Sequence, residues 1–317
     1  MDSASRELIR ASMRHLLETT PPAGFAAALL ESGWGDLLAD GPDAITMLAE
    51  EQGRVGSAAP LLDLVLLHGA GLPVDAVTAF VLPPLERDCT ASARLQDGGL
   101  RVGGLLLNGS ERAHTVIACS RDGLAAVPAE VLDVRAISGF DPALGLRQAN
   151  ALVPAGSWKP VGDAAAWSRA LATGRTALAV ELIGLAERML ADTVDYVLAR
   201  EQFGRPIGSF QAVKHKLADA RVAISAARAA VQVAVADGDP LPAMAAKCLA
   251  GRAHQLVSTH GHQVHGGIAF TVEHGFHRSI RRGLLLDGLL GTSEDLVRNL
   301  GGHILASKSV PRIPALL

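Results

Sequence analysis

Apolar positions along this chain repeat with two different periods, and the changes between them divide it into three stretches. From residue 4 to 71 the spacing is helical: Ile45, Leu48 and Ala49 precede Gly53, and the run Leu61 to Leu67 follows the same period. Pro21-Pro22, Gly41-Pro42 and Gly53 punctuate these short helices. The Ala58 to Leu72 stretch is apolar nearly all round, which predicts a buried helix. From Val77 to about Pro160 the texture changes. Short apolar runs (Leu105 to Leu107, Val116 to Ala118, Leu124 to Val127) alternate with Pro83-Pro84, Asp97-Gly98-Gly99, Gly103-Gly104, Asn108-Gly109 and Asp122-Gly123. Asn-Gly and Asp-Gly between such runs are the turn chemistry of hairpins, so this segment predicts a small β domain. From Asp163 the helical period returns. Ala164 to Arg200 is one long pattern ended by Gly204 and Pro206. Helices are then expected from Ser209 to about Ala236, stopped by Asp237-Gly238-Asp239-Pro240, and from Leu241 to about His262, stopped by Gly266-Gly267. Thr271 to Leu286 and Thr292 to Ala306 complete a bundle of antiparallel helices with short loops. The expected fold is mainly α with a small β domain (α+β): N-terminal helices over 1–76, strands over 77–160 and a helical bundle over 161–317.

Composition narrows the function classes. With 317 residues and a hydrophobic fraction of 49%, the chain can bury a large core, and aromatics at 3% favour helix packing through small residues. A net charge of −3 with interspersed signs excludes an electrostatic nucleic-acid binder and a polybasic membrane anchor. Cys89, Cys119 and Cys248 are odd in number and far apart, so they predict buried free thiols in a reducing cytoplasm rather than a disulfide framework. The charged start (Asp2, Arg6, Glu7, Arg10) is unlike a signal peptide, and no uncharged apolar run reaches the roughly 20 residues of a membrane span. A cytoplasmic protein is expected.

Three local constellations carry candidate chemistry. The first is Arg200-Glu201-Gln202-Phe203-Gly204-Arg205-Pro206-Ile207 with Phe210-Gln211 and His215. An arginine at a helix end can offer its fork to a phosphate, and Phe203 can cover a flat heterocycle, although a plain helix stop accounts for the same residues. The second is Gln263-Val264-His265-Gly266-Gly267, whose glycines let backbone approach a diphosphate; a helix cap is the simpler account. The third is Gly291-Thr292-Ser293-Glu294, where Thr292 or Ser293 caps a helix that Glu294 suits electrostatically. Histidines cluster at His254, His260, His262, His265, His274 and His277, but no pair has zinc-motif spacing with its glutamate, so no metal is expected.

Taken in order and spacing, these constellations resemble the acyl-CoA dehydrogenase family. Arg-x-Gln-Phe-Gly-x-Pro-Ile-x-x-Phe-Gln-x-Val-x-His-x-Leu-Ala-Asp runs from Arg200 to Asp219, and Gln-x-x-Gly-Gly-x-x-x-Thr-x-Glu from Gln263 to Glu273. Arg281 then precedes Gly291-Thr292-Ser293-Glu294 at the family's interval, and Glu50-Glu51-Gln52-Gly53-Arg54 sits where the family has a similar helix end. The resemblance implies FAD at a subunit interface. Arg200, Gln202, Phe203, Gln211, Gln263, Gly266 and Gly267 would hold the ADP half of a neighbour's flavin, and Thr292 and Glu294 would touch the flavin of their own subunit.

The departures are as informative. The family's base is a glutamate immediately before Gly-Thr, and here that position is Leu290, which cannot accept a proton. The alternative glutamate position on the long helix falls at Gly174, beside Arg175. The family's Thr-Glu-Pro segment survives only as Leu82-Pro83-Pro84, and its flavin-stacking tryptophan becomes Ala113. Some steroid-degrading actinobacteria build such enzymes from two subunits, of which the shorter lacks the base. The sequence resembles that shorter subunit of an α2β2 enzyme that desaturates a CoA thioester, steroid-derived thioesters included. Its expected partners are a longer catalytic subunit, further copies within the assembly, acyl-CoA in the partner's site and an electron-transfer acceptor. Two alternatives stand beside this: a self-sufficient enzyme using Asp287 as base, and a flavin-free scaffold.

Overall fold

The computed structural model describes residues 3–35, 42–86, 90–271 and 273–308. Gly41 and Cys89 lie outside the described residues. Among the described residues the helices α1 (Ser3–Thr19), α2 (Pro22–Glu31), α3 (Pro42–Val55) and α4 (Leu61–Ala70) precede the strands. α4 is buried on nearly every side, as its uniformly apolar run requires. Gly53 does not end a helix; it lies within α3. A methyl group there would fall 2.0 Å from the Glu181 carbonyl oxygen, so glycine allows backbone contact with the long helix of the bundle.

Eight strands form two four-stranded sheets. β1 (Thr78–Val81), β4 (Thr115–Cys119), β5 (Gly123–Pro128) and β8 (Lys159–Asp163) lie in the order β1-β4-β5-β8, with β1 parallel to β4. β2 (Ala93–Gln96), β3 (Gly99–Leu106), β6 (Asp133–Ala136) and β7 (Arg147–Val153) form an antiparallel sheet in the order β2-β3-β7-β6. Val81, Val116 and Val127 from one sheet meet Val102, Leu106 and Val153 from the other in a separate core. The Asp97-Gly98 turn joins β2 to β3 with both residues at positive φ, as a two-residue hairpin requires. Two turn expectations fail. Asn108-Gly109 leads into a 3₁₀ turn (Ser110–Arg112) that carries the chain to the other sheet. Gly103-Gly104 lies inside β3, where a side chain on Gly104 would strike the Leu82 carbonyl.

The helical half is built on α5 (Ala164–Ala199), N-capped by Asp163 through a 2.8 Å bond from Ala166 N. A short hairpin, β9 (Glu201–Gln202) and β10 (Arg205–Pro206), follows it. Then come α6 (Gln211–Asp237), α7 (Pro240–His265), α8 (Phe276–Gly288) and α9 (Ser293–Ser307). α5 packs against α3, α4, α6, α7 and α8 and so joins the N-terminal helices to the bundle. α8 begins five residues later than the pattern suggested, because residues 266–270 form a 3₁₀ turn after Gly266. No helix among the described residues is long and apolar enough to cross a membrane.

Candidate functional site

Positions 174 and 290, where the family resemblance would place a glutamate, come together. A methyl group on Gly174 would lie 2.8 Å from Leu290 Cδ1, 2.8 Å from Leu66 Cδ2 and 3.4 Å from Leu62 Cδ1. Leucines from α4 and from the α8–α9 connection therefore fill the space a base would need. Leu290 is 3% exposed and has φ +58°, a conformation that disfavours a branched side chain. Buried cations hold this strained loop. Arg175 Nε donates to the Leu290 carbonyl at 2.9 Å, and Lys247 Nζ donates to the carbonyls of Asp287 at 2.7 Å and Gly291 at 2.8 Å. Burial lowers both groups, Arg175 to about 10 and Lys247 to about 8. Neither residue was singled out for this role in the sequence. Lys247 within the apolar run Ala-Met-Ala-Ala-Lys-Cys was the available signal.

Asp287, the alternative base, is occupied. Its carboxylate accepts bonds from Ser293 N at 3.2 and 3.3 Å and from Ser293 Oγ, so it acts as an anchor for the start of α9. Thr292 is the α9 N-cap: its Oγ1 accepts from Asp295 N at 3.1 Å and donates to Asp295 Oδ2 at 2.8 Å. Glu294 is exposed and shares a small cavity of about 200 Å³ with Pro84, Leu85, Glu86 and Thr292. Ala113 is half-buried against the core between the sheets.

The other candidate residues gather at the opposite end of α5, about 39 Å along the helix axis from Gly174 to Arg200. There α5 and α7 end side by side. The Tyr196 ring stacks on His265 at 4.4 Å, and Tyr196 Oη donates to the His265 carbonyl at 3.4 Å. This contact places Arg200, one turn beyond Tyr196, near Gly266, which follows His265. α6 starts in the same region: Phe203 packs edge-on to Phe210 at 6.1 Å, the Arg205 guanidinium lies 4.1 Å over the Phe210 ring, and Gln211 opens the helix.

This end is open. Phe203 is 91% exposed with φ +54° at the hairpin tip, and Phe270 is 74% exposed. Arg200, Gln202, Gln211 and Gln263 are exposed, and the guanidinium of Arg200 makes no ion pair among the described residues. Side chains added at Gly204, Gly266 or Gly267 would meet nothing within 4 Å. A guanidinium, a flat ring, several amides and bare backbone are a donor set that fits the phosphates and ring of a dinucleotide. The two groups of candidate residues lie too far apart along α5 to serve one cofactor.

The histidines form no such set. His265 stands among Tyr196, His274 and Phe276, and burial lowers its pKa. His262 lies against Phe270. Among the described residues no group of three or more His, Cys, Asp or Glu side chains is arranged to hold a metal. Cys119 and Cys248 are buried and unpaired with each other.

A family model described as the acyl-CoA dehydrogenase C-terminal domain matches residues 164–305. Over 315 residues the chain is 31% identical to acyl-CoA dehydrogenase IpdE2 of Mycolicibacterium smegmatis, covering 95% of this chain and 94% of that one. IpdE2 of Mycobacterium tuberculosis is 44% identical over 135 residues, 43% of this chain and 42% of that relative, so this match spans less than half of its length. Among solved structures, a variant of the Tcur3481-Tcur3483 steroid ACAD aligns with TM-score 0.79 at 25% identity, covering 97% of this chain and 99% of that one. The ChsE4-ChsE5 complex from Mycobacterium tuberculosis aligns with TM-score 0.78 at 21% identity, covering 98% and 99%, and shares the fold.

Proposed function

The chain belongs to the acyl-CoA dehydrogenase family, and from that premise we propose that it is the base-free subunit of a heteromeric enzyme, completing the FAD site of a longer, glutamate-bearing partner. The family uses FAD, which when bound accepts hydride from the β-carbon of a CoA thioester. The observation that carries the reading is the meeting of Gly174 with Leu290 in a leucine-walled space, at the far end of α5 from an open set of dinucleotide-binding residues. In this reading Arg200 binds a diphosphate oxygen, Phe203 covers a ring, and Gln202, Gln211 and Gln263 orient the nucleotide. Gly266 and Gly267 let backbone N–H groups approach it. Thr292 and Glu294 keep the family's loop geometry beside a seat that lacks a base. Arg175 and Lys247 preserve the loop conformation without moving a proton.

The assembly we propose is a cytoplasmic α2β2 heterotetramer, with acyl-CoA in the partner's site and an electron-transfer protein as acceptor. Its segments are those at 1–76, 77–160 and 161–317. The ChsE4-ChsE5 likeness, a complex of two differently named chains, supports a partner subunit, and the steroid ACAD likeness supports a steroid-derived thioester as substrate. Co-expression with a longer homologue that has glutamate before its Gly-Thr tests the reading. A yellow, active complex is expected, with little flavin and no turnover from this chain alone. Full turnover by the isolated chain would sink it.

A further inference from the structure

A separate cavity of about 350 Å³ opens where the end of α3, the β6–β7 connection, the middle of α5 and the start of α8 meet. Its wall holds four arginines, Arg54, Arg188, Arg278 and Arg282, against one carboxylate, Asp141. Arg54 is already neutralised, bonded to Glu50 at 2.8 Å and Glu187 at 2.7 Å. Of the other three, Arg188 and Arg282 each face a single carboxylate at longer range and Arg278 faces none among the described residues. Arg188 donates to the Arg54 carbonyl at 2.9 Å and comes no nearer than 3.7 Å to Asp192, where both side chains are exposed. Arg278 makes no ion pair with any described residue. Arg282 is 5% exposed; its Nη2 donates to the Gly56 carbonyl at 3.0 Å, its Nε lies 3.4 Å from Asp141, and its buried Nη1 has no hydrogen-bond partner. A buried charged donor without an acceptor is unfavourable, so an acceptor from outside the chain would stabilise the site.

Two further features add positive potential. α8, thirteen residues long, starts at the cavity with Gly275 at its cap position, and no acidic residue stands in its first turn. Behind Arg282, burial pushes the Glu181 carboxyl up to about 7, so near neutral pH it offsets the arginine charge only in part. Ser279 also lines the cavity.

We infer that this cavity binds a phosphate group, free or carried on a small ligand, held by the forks of Arg188, Arg278 and Arg282 and by the start of α8. Guanidinium forks match phosphate oxygens in pairs, and the volume falls in the range of small-ligand sites. The ligand would tie together two segments distant in sequence, the middle of α5 and the first turns of α8. The site lies midway along α5, apart from both the Leu290 loop and the open bundle end, and it does not depend on the flavin reading.

The test uses the full-length chain, together with any subunit that co-purifies. Equilibrium dialysis and thermal unfolding are run with inorganic phosphate, pyrophosphate and glycerol 3-phosphate, against chloride at matched ionic strength. The expected result is saturable binding at one site per chain and a midpoint raised by several degrees. Affinity should fall at least tenfold in Arg188→Ala/Arg278→Ala and the ligand-induced rise should shrink with it; both positions are exposed, so losing the Arg188–Arg54 bond should move the unliganded midpoint by no more than about 2–4 °C. Tightest binding by inorganic phosphate identifies a free-ion site; tighter binding of either larger compound identifies a phosphorylated ligand. An absence of saturable binding, an equal shift with chloride, or undiminished binding in the double variant overturns the inference. None of these readouts involves flavin or turnover, so its failure is distinguishable from failure of the proposed function.

Discussion

Replacing Phe203 by glycine separates a cofactor role from a folding role. In the chain alone this side chain stabilises almost nothing: it is 91% exposed and meets only the edge of Phe210, at 6.1 Å between centroids. Losing that pair costs about 0.5–1.5 kcal/mol. Relieving the φ of +54° with glycine returns roughly 1 kcal/mol. The two nearly cancel, so the thermal midpoint of the isolated chain should move by no more than about 2–4 °C. The assembled enzyme should respond differently. A phenylalanine buries roughly 150–250 Å², or about 4–6 kcal/mol at 25 cal/mol per Å² if both faces are covered. One face against a flat heterocycle is about half of that, about 2–3 kcal/mol, so flavin should bind roughly thirty- to a hundred-and-fifty-fold more weakly. The assay is flavin retention by the co-purified complex, titrated back with FAD, beside unfolding of the isolated chain. Flavin affinity within twofold of the parent would refute the reasoning, because an exposed, strained aromatic would then have no ligand to cover.

Other substitutions probe the remaining geometry. Asp287→Asn should leave turnover of the complex unchanged and cost about 1 kcal/mol through the weakened start of α9; a tenfold fall in kcat would restore Asp287 as a base. Gly53→Ala puts a methyl 2.0 Å from the Glu181 carbonyl and should destabilise the chain by about 3 kcal/mol or more. Gly301→Ala, in α9 with nothing within 4 Å, should stabilise it by up to about 1 kcal/mol in the same denaturation assay. Burial raises Asp63 to about 7, even though it accepts bonds from Phe80 N and Ser110 Oγ. The folded chain therefore holds a proton that the unfolded chain has released. This contribution is complete below the unfolded pKa and is lost as pH rises through about 7, an effect of about 4 kcal/mol. Asp63→Asn should reduce the difference between unfolding midpoints at pH 5 and pH 8; an unchanged difference would show that Asp63 does not titrate in this range.

Much of this architecture was legible because it depends on local periodicity. The 36 residues of α5 carry few breakers, and Asp97-Gly98 specifies its own hairpin. What escaped is tertiary. Gly53 looks like a helix stop until the Glu181 carbonyl is seen against it, and Gly103-Gly104 looks like a turn until Leu82 crosses β3. The candidate residues at Arg200 and Gly266 were readable as motifs, but their convergence depends on the Tyr196–His265 stack, which no local pattern announces. Lys247 and Arg175 were hidden for a different reason: a buried cation satisfied by carbonyl oxygens leaves no complementary carboxylate in the sequence.

The close contact between α3 and α5 has a consequence for how the strands are tolerated. Gly53 rests on the Glu181 carbonyl and Gly184 on the Glu50 carbonyl, so the two helices are fastened backbone to backbone at both points. The strand segment from Thr78 to Asp163 is then an excursion that leaves the helical frame after α4 and re-enters it at α5. The entropy of closing such an excursion changes by only about 0.6 kcal/mol when its length doubles. Connections between the strands can therefore lengthen or shorten at little cost to the frame, whereas Phe80, Ile117 and Leu124, packed in the same core as the helices, hold the inner sheet in place.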